Sequence, residues 1–441
     1  MMTRRDFGKI STVAGLGLTW GMSRLHAYMD TPAGVSANNK IQVGLIGCRS
    51  MGWTNLMDFI RNNEVECVAL CDVDSNILEE RTNELAAKSG KKPAVFVDYR
   101  KMLELKEVDV VIIATPDHWH CLPFVDACKA GKDIYVEKPL ANSIAECDIM
   151  LQAAKKNGRI VAVGQQQRSG AEWLKIMELI KSGTVGEVKR VNCWGNFKYG
   201  AGRPRVANSS PPPGVDYDRW LGPASERPFN ANRFHGFWRM NWAYGGGLAT
   251  DWGVHLLDMA LWAKGDTGQF PQTVVASGGI LRFPDHEIQT PDTLNVTFNY
   301  GDWLLSWEHN CGLESGPWNR NYGVSFVGTK GTIIANRESW ELVPERKNNE
   351  PLTAAIPLQA NQQNVHQPHV RHFLDAVRSR KQPECSIEIG HTAAVTAHLG
   401  NLAYRTGAVL SYDSVQQTFN NPEADKLIKP DYRQPYVFPT L

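Results

Sequence analysis

The chain has 441 residues, 42% of them hydrophobic, which is too long for one compact core and predicts two or three domains. Its 47 Lys and Arg residues against 46 Asp and Glu residues leave a formal net charge of +1. No global field therefore attracts polyanions, so a nucleic-acid partner is disfavoured and an uncharged small molecule suits the balance. The composition also excludes a disordered chain.

The first segment, residues 1–37, resembles a signal peptide and linker. Thr3-Arg4-Arg5-Asp6-Phe7 follows the twin-arginine pattern, an address for the export of folded protein. The uncharged run at residues 10–22 is too short to span a bilayer, and no later segment is long and apolar enough. An N-terminal amphipathic helix is the alternative interpretation. We expect export, to the periplasm or beyond, and no membrane span.

The nine cysteines are an odd number and form no C-x-x-C pair. Most lie in or beside apolar runs, where free thiols behave as small hydrophobic side chains. A disulfide framework is therefore not expected, although such frameworks are common in secreted proteins. Export after folding in a reducing compartment would reconcile the two observations.

Residues 38–164 alternate short apolar runs with amphipathic stretches, which predicts βαβ units with a parallel sheet. The predicted strands are Ile41–Ile46, Cys67–Cys71, Val108–Ala114, Asp133–Val136 and Ile160–Val163. The intervening segments at residues 55–62, 76–88 and 123–129 are predicted helices.

The first predicted strand leads into Gly47-Cys48-Arg49-Ser50-Met51-Gly52, at the position and length of a dinucleotide fingerprint. Its middle glycine is replaced by Arg49, whose side chain reduces the room for a pyrophosphate but could itself donate to phosphate. Asp72 follows the next apolar run, where an acidic residue binds ribose hydroxyls and favours NAD over NADP. The loop residues and Asp72 are therefore predicted to bind NAD, with a strand-end turn as the alternative role of Asp72.

Two further strand ends carry polar residues, at the edge where parallel sheets bind ligands. Thr115, Pro116, His118 and His120 follow the third strand, and Glu137 with Lys138 follows the fourth. A metal pair at the two histidines lacks a third ligand nearby, so packing or cofactor contact is favoured. Lys138 is the strongest candidate for a directed functional side chain.

Residues 165–420 predict a second, α+β domain with a mainly antiparallel sheet. A helix is expected at residues 173–181, and strands are expected at residues 188–194, 273–281, 293–300, 303–309 and 323–327. The irregular stretch Gly200–Arg239 is long enough to indicate a functional loop. After it, Asp251, His255 and Asp258 are spaced i, i+4 and i+7, on one face of a helix. A capped helix and a metal site are both open interpretations of that face, although it lacks the ligand softness that zinc prefers.

Six segments carry a resemblance to the glucose–fructose oxidoreductase / inositol dehydrogenase (Gfo/Idh/MocA) family. They are the ATPDHWH run, the EKPLA run, the GQQQR run, the DRWLGPA run, Gly245–Gly247 with DWGVHLLD, and the C-terminal HFLDAVRS run. They span residues 41 to about 435, and together with the twin-arginine pattern they point to an exported subgroup. Arg49 departs from the glycine loop of the family.

The resemblance implies a Rossmann domain followed by an α+β domain whose large open-faced sheet often mediates dimers or tetramers. The catalytic lysine, aspartate and histidine of the family correspond to Lys138, Asp251 and His255. The implied cofactor contacts are Gly47, Arg49, Ser50, Met51, Gly52, Asp72, Thr115, Pro116, His118, His120, Glu137 and Lys138. The expected substrate contacts are Gln166, Arg168, Trp220, Trp238, Trp252 and His255, and no metal is expected.

The expected activity is NAD-dependent oxidation of a secondary hydroxyl of a sugar or glycoside. A histidine suits removal of the hydroxyl proton, and a lysine stabilises developing alkoxide charge. The alternative is a redox-neutral glycosidase resembling glycoside hydrolase family 109, which holds NAD tightly and recycles it. A sugar-sensing protein with a degenerate nucleotide site is a third hypothesis, motivated by Arg49.

Fourteen tryptophans are unusual, and nine lie between Trp194 and Trp318. Flat rings with one polar edge suit pyranose faces, so two or three are expected to line a glycoside pocket. Residues 421–441 contain four prolines and predict an extended tail.

Overall fold

The computed structural model describes residues 40–265, 268–361 and 364–441. The twin-arginine segment and the expected cleavage region therefore lie outside the described residues. The statements below concern the described residues.

The first half forms a six-stranded parallel sheet flanked by helices. Its elements are β1 Ile41–Ile46, α1 Ser50–Ile60, β2 Val65–Cys71, α2 Ser75–Ser89, β3 Ala94–Phe96, α3 Tyr99–Leu103, β4 Val110–Ile113, α4 Cys121–Lys129, β5 Asp133–Val136, α5 Ile144–Lys156 and β6 Val161–Val163. The strand order β3-β2-β1-β4-β5-β6 is that of a doubly wound dinucleotide-binding sheet, and it confirms the predicted Rossmann fold.

Burial explains which strands the sequence revealed. β4 and β5 are buried along their whole length, so helices cover both faces and the sequence is continuously apolar. The sequence prediction missed β3, a strand of three residues at the sheet edge with two exposed side chains. Helix starts are also encoded locally. Ser143 and Glu146 form a capping box at α5, where the Ser143 hydroxyl accepts from the Glu146 amide at 3.2 Å.

The second half contains an eight-stranded mixed sheet with the order β16-β13-β12-β11-β7-β10-β9-β8. Its elements and the remaining helices are α6 Ala171–Lys181, β7 Val188–Phe197, α7 Tyr217–Leu221, α8 Val254–Lys264, β8 Thr273–Gly279, β9 Thr293–Asn299, β10 Leu304–Cys311, β11 Tyr322–Gly328, β12 Gly331–Ala335, β13 Ser339–Pro344, β14 Arg346–Lys347, β15 Glu350–Pro351, β16 Ile356–Ala360, α9 His366–Ser379, α10 Ile387–Thr406, β17 Tyr412–Asp413, β18 Thr418–Phe419 and α11 Pro422–Asp425. All neighbouring pairs in the large sheet are antiparallel except β7 with β10, so the predicted α+β domain is confirmed.

The two faces of the large sheet differ in chemistry. Helices α8 and α10 pack on one face, and their apolar residues join both halves of the chain in one continuous core. The other face carries polar side chains, among which the Asn192 amide donates to Ser325 Oγ at 3.0 Å. A cavity of about 310 Å³ opens on that face and includes Trp318 in its lining. This is the open face through which the family resemblance predicts assembly into dimers or tetramers.

The long connection after β7 is irregular, as predicted, and contains α7 and short helical turns at Ala231–Arg233 and Trp238–Met240. It has a small aromatic core of its own that includes Trp220, Phe234 and Tyr244. The apolar side chains of this segment therefore anchor it beside the first sheet.

The C-terminal tail begins with one helical turn, α11, and is otherwise irregular, so the prediction of an extended tail is wrong for Pro422–Asp425. The tail packs on its own chain: the Tyr432 hydroxyl donates to Glu146 Oε1 at 2.6 Å, and Arg433 donates to the Gly222 carbonyl at 2.7 Å. All nine cysteines are free thiols. No helix in the described part of the chain is long and apolar enough to cross a bilayer.

Candidate active site

The loop between β1 and α1 has the backbone of a phosphate-binding turn. Gly47 has φ +90°, and a side-chain carbon there would lie 2.6 Å from the Ala114 carbonyl oxygen. A side-chain carbon at Gly52 would lie 1.9 Å from the Gly47 carbonyl oxygen, so both positions require glycine. The N-terminus of α1 has no side-chain cap, which leaves amide groups available to an anion.

Arg49 fits this loop although a glycine is usual there. Its φ of −93° is ordinary for any residue, so the backbone does not require glycine. The half-exposed side chain points to Asp74, with 3.7 Å between Arg49 Nη1 and Asp74 Oδ2. The arginine therefore lies at the rim of the loop, and the loop is not degenerate.

Asp72 lies at the end of β2, in the wall of a cavity of about 260 Å³. Its carboxylate accepts from the amides of Cys48 at 2.7 Å and Asp74 at 3.1 Å, which ties the phosphate loop to the second strand. Burial raises the pKa of this carboxyl. The same cavity is lined by Arg49, Ser50, Met51, Thr115, Pro116, Trp119, Trp220 and Trp238, in addition to Gly47 and Asp72.

These features fit a dinucleotide. Uncapped helix amides and two obligatory glycines can hold a pyrophosphate, and a strand-end carboxylate beside them can hold ribose hydroxyls. Gly47, Arg49, Ser50 and Met51 of the loop lie around the cavity with Asp72, Thr115 and Pro116, whereas Gly52 is not in its lining.

His118 and His120 are buried in the wall behind this cleft and pack against protein groups. His118 Nε2 lies 3.1 Å from the Trp220 carbonyl, and the ring packs on Tyr244. The ring nitrogens of His120 lie 2.9 Å from the Pro139 carbonyl and 3.0 Å from the Thr115 carbonyl. Burial lowers the pKa of both histidines to about 4, so each ring is neutral and has one N–H to donate. They connect the loops that border the cleft.

Glu137 is also occupied by protein groups. Its Oε1 accepts from the Asn55 side chain at 2.8 Å and from the Gln166 side chain at 3.2 Å, and Oε2 accepts from the Lys138 amide at 3.2 Å. Gln166 is buried beneath the lysine, next to the Tyr135 hydroxyl. The structure thus places Glu137 and Gln166 together as a support for Lys138.

Lys138 and Asp251 form the centre of the site. Lys138 Nζ donates to the Asp251 carboxylate and to its backbone carbonyl, each at 2.7 Å. Arg239 Nε donates to the same carboxylate at 3.2 Å, and the Tyr199 hydroxyl donates to its other oxygen. Burial opposes ionisation of Asp251, but the charges of Lys138 and Arg239 outweigh it and hold its pKa well below the ordinary value.

His255 lies beside this pair, and its Nδ1 is buried with no hydrogen-bond partner among the described residues. Burial, together with the positive charges of Lys138 and Arg337, lowers its pKa well below 6.5. The imidazole is therefore neutral at physiological pH. A neutral ring with an unused nitrogen next to a lysine is suited to accepting a proton.

Asp251 and His255 do not share a regular helix. Residues Ala249–Gly253 form a π-helical turn that continues into α8, and such turns often mark functional sites. Asp258 therefore does not join the other two: its carboxylate accepts from Arg168 at 2.7–3.0 Å in a buried bidentate pair. Asp258 is thus paired within the protein, and Arg168, which was expected to contact the substrate, is occupied by this pair.

The three tryptophans expected at the substrate have different surroundings. Trp220 and Trp238 are buried side chains in the lining of the dinucleotide cavity. Trp252 lies near His255, but Phe197 packs 4.5 Å from its ring centroid and the Arg337 guanidinium lies 4.6 Å from it. Both groups pack on the Trp252 ring and restrict the room for a ligand there. Stacking of a sugar on that ring is not supported.

Three residues at the site were not identified from the sequence: Tyr199, Arg239 and Arg337. The first two lie at the ends of the long loop, which was recognised as functional without its reactive members. Arg337 lies between β12 and β13, where no sequence signal distinguishes it from a surface arginine. The described residues contain no group of three or more His, Cys, Asp or Glu side chains that could hold a metal ion.

A Rossmann sheet that presents a lysine to an aspartate and a neutral histidine defines an NAD-binding oxidoreductase. The model of the oxidoreductase family with an NAD-binding Rossmann fold matches residues 41–165, and the model of its C-terminal alpha/beta domain matches residues 171–307 and 324–438. The chain belongs to the Gfo/Idh/MocA oxidoreductase family.

Relatives and solved structures agree with this assignment. A glycosyl hydrolase family 109 protein of Shewanella baltica is 27% identical over 201 residues, covering 42% of this chain and 44% of the relative. The match thus spans less than half of the relative's length. Levoglucosan dehydrogenase in complex with NADH and levoglucosan shares the fold, with a TM-score of 0.64, 19% identity, and coverage of 84% of this chain and 99% of that chain. The aldose-aldose oxidoreductase from Caulobacter crescentus does so with a TM-score of 0.63, 17% identity, and coverage of 84% and 99%.

Proposed function

We propose that the protein is an NAD-dependent oxidoreductase that oxidises a secondary hydroxyl of a sugar or glycoside. The observation that carries this proposal is the neutral His255, with its unused Nδ1, beside the Lys138–Asp251 pair. An alcohol loses a hydride from carbon and a proton from oxygen when it becomes a ketone. NAD, when bound, supplies the hydride acceptor, and His255 supplies the proton acceptor.

Lys138 and Asp251 have complementary roles in this proposal. The Lys138 ammonium stabilises the negative charge that develops on the substrate oxygen as the proton leaves. Asp251 holds the ammonium in place through two contacts, and Tyr199 and Arg239 fix the carboxylate. The lysine is therefore positioned before substrate arrives, which avoids reorganisation during the reaction.

The test is turnover of a glycoside panel by purified protein with NAD, followed by NADH absorbance and identification of the keto-sugar. Absence of both NADH and keto-sugar across the panel would contradict net oxidation. His255→Asn keeps a planar polar side chain without a basic nitrogen, and it is expected to lose about 10³-fold in rate. His286→Asn, at a histidine that contacts the Ala201 carbonyl away from Lys138, is the matched control.

A second candidate is a redox-neutral glycosidase, and the similarity to family 109 glycosyl hydrolases favours it. The same lysine and histidine would serve a transient oxidation, elimination of the aglycone, addition of water to the resulting double bond and return of the hydride from NADH. Nitrophenyl glycosides discriminate the two activities. Release of nitrophenol without net NADH supports the glycosidase, whereas NADH and keto-glycoside without nitrophenol support the dehydrogenase.

We also propose export by the twin-arginine pathway, on the basis of Thr3-Arg4-Arg5-Asp6-Phe7. An exported enzyme would need a tightly held NAD, loaded before transport. Replacing Arg4 and Arg5 by lysine should retain the protein in the cytoplasm. Mass spectrometry of the denatured exported protein should detect one NAD per chain.

Assembly into dimers or tetramers is proposed to use the open face of the large sheet. The polar side chains of β7, β10 and β11, with the half-exposed Trp318, provide hydrogen-bonding groups and one large apolar contact. Sedimentation of Ser306→Arg, which places a charged side chain at a partly exposed position in that face, should show dissociation if the face is used.

A further inference from the structure

The Arg337 guanidinium occupies an unusual place beside the catalytic group. The side chain extends from the turn between β12 and β13 and lies over the Trp252 ring, 4.6 Å from its centroid. It is only partly exposed, and burial lowers its pKa. The Trp252 ring lies 6.2 Å from the His255 ring, centroid to centroid, so the guanidinium is near the candidate base.

Arg337 forms no ion pair with a carboxylate of the described chain, whereas other buried arginines do. Arg168 pairs with Asp258 at 2.7 Å, Arg233 with Glu287 at 2.7 Å and Arg320 with Glu341 at 2.9 Å. The carboxylate next to Arg337 in sequence, Glu338, instead accepts from the Tyr322 hydroxyl at 2.6 Å. The fork of Arg337 donors is therefore available to a ligand, although partial burial of a cation is costly without a partner.

Three cations lie around the Asp251 carboxylate. Lys138 and Arg239 both contact the single carboxylate of Asp251, and Arg337 adds a third cation. Asp117 lies nearby, but burial raises its pKa well above the ordinary value, which weakens its contribution as an anion. Glu137 beside Lys138 and Glu338 beside Arg337 are further carboxylates, so cations and carboxylates are nearly equal in number, and the guanidinium of Arg337, which has no carboxylate partner in the described chain, is the feature that favours an anionic ligand.

We propose that the substrate carries an anionic oxygen group, a carboxylate or a sulfate ester on the sugar, and that Arg337 binds it as a two-pronged donor. This inference rests on the sugar-oxidising function proposed above and narrows its substrate class. Trp252 holds the guanidinium flat and in place. A planar fork matches two oxygens of a carboxylate or sulfate, and the pairing is strongest where water is partly excluded.

Calorimetric binding to the NAD-loaded protein tests this without requiring turnover. The probes are methyl β-glucuronoside, the 6-sulfate of methyl β-glucoside, and methyl β-glucoside itself, which share one ring and differ at one carbon. We expect at least one of the two acidic probes to bind about tenfold more tightly than the neutral probe. The acidic probe that binds more tightly identifies the group as carboxylate or sulfate.

Two variants assign the preference to Arg337. Arg337→Gln should bring the acidic and neutral probes within about twofold of each other by weakening the binding of the acidic probe. Arg405→Gln removes an exposed arginine that stacks over Trp242 at 5.0 Å, and it should retain the preference. The midpoint temperature of thermal unfolding is the folding control, and that of Arg337→Gln should equal that of the wild type.

Equal binding of all three probes, no binding of either acidic probe, or a preference that survives in Arg337→Gln overturns the inference. These outcomes are separable from failure of the proposed function. Oxidation of neutral glycosides with no acidic preference would retain the function and reject the inference. Arg337-dependent binding of an acidic probe with no turnover would do the reverse.

Discussion

Two buried aspartates seven residues apart in the same helical segment have opposite surroundings. The Asp258 carboxylate accepts hydrogen bonds from two nitrogens of the Arg168 guanidinium, so the two charges are paired. The guanidinium also stacks on the Trp262 ring at 5.0 Å. Asp251 receives two cations and a tyrosine hydroxyl, and an unmatched imidazole nitrogen remains beside it. The Arg168–Asp258 pair therefore stabilises the fold, whereas the site around Lys138 and Asp251 keeps hydrogen-bond donors and a base for a ligand.

A third buried carboxyl, Glu146, completes the comparison because it has no cation partner among the described residues. It accepts from Tyr432 and Ser143, and burial raises its pKa to about 7. Burial also raises the pKa of Asp258 against the opposing charge of Arg168, whereas two cations lower that of Asp251. The number of cations in contact thus decides whether a buried carboxylate stays charged.

The largest expected effect is a loss of activity on mutation of the Lys138–Asp251 pair. Lys138→Ala should lower kcat/KM by about 10³-fold, or about 4 kcal/mol, because it removes the charge that stabilises the reacting oxygen. The measurement is steady-state kinetics on a glycoside that the wild type oxidises. Lys132→Ala is the matched control, since Lys132 is a buried lysine that donates to the Leu105 carbonyl at 2.7 Å. Full activity of Lys138→Ala would show that the Lys138–Asp251 pair, like the Arg168–Asp258 pair, is structural rather than catalytic.

Mutation of the Arg168–Asp258 pair should lower the stability of the protein. Arg168→Met leaves the Asp258 carboxylate buried and unpaired, which should lower the free energy of unfolding by about 3 kcal/mol. Urea unfolding measures this, with Lys426→Met as a control at an exposed pair that should cost less than about 0.5 kcal/mol. A stable Arg168→Met protein that had lost sugar binding would instead support the original assignment of Arg168 to the substrate.

Glu146 should show how a buried carboxyl without a neighbouring cation makes stability depend on pH. Its pKa is raised from 4.5 to about 7 in the folded protein, so its stabilising contribution is complete below pH 4.5 and is lost as pH rises through about 7. Glu146→Gln, which cannot ionise, should therefore gain about 2 kcal/mol relative to wild type between pH 5 and pH 8. Urea unfolding at both pH values tests this, and an unchanged difference would mean that Glu146 is not held neutral.

The smallest effect concerns the pH dependence of activity. Because the folded-state pKa of His255 lies well below 6.5, the imidazole remains an unprotonated base as pH falls through 6.5. The acid limb of kcat/KM should therefore lie below pH 6.5, and activity at pH 6 should remain within about twofold of that at pH 7. A half-maximal rate at pH 6.5 or above would show that His255 is not the base or is not shielded.

Much of the fold was predictable because its strands are short apolar runs with clear ends. The predicted strand Ile41–Ile46 agrees with the structure, and Cys67–Cys71 was short by two residues at its start. β3 could not be found because an exposed edge strand of three residues leaves no apolar pattern. Pro422–Asp425 was missed because prolines suggested an extended chain, although proline is well tolerated in the first helical turn.

The candidate site was predictable where residues follow strand ends. Lys138 and Asp72 were placed at the carboxyl edge of the sheet by position alone, and both lie there. Arg337 and Tyr199 come from distant segments, so only the tertiary fold brings Arg337 near His255 and Tyr199 to Asp251. The commitment of Arg168 to Asp258 was equally hidden, because an arginine in a recognised segment does not reveal its partner.

The π-helical turn at Ala249–Gly253 can be described in evolutionary terms as a one-residue insertion in an ordinary helix. Deleting one codon there would restore regular α-helical winding and rotate everything before it by about 100° relative to α8. Asp251 would then turn away from Lys138 while His255 kept its place. The segment that carries the acid–base group should therefore be intolerant of a change in length as well as of a change at its reactive side chains.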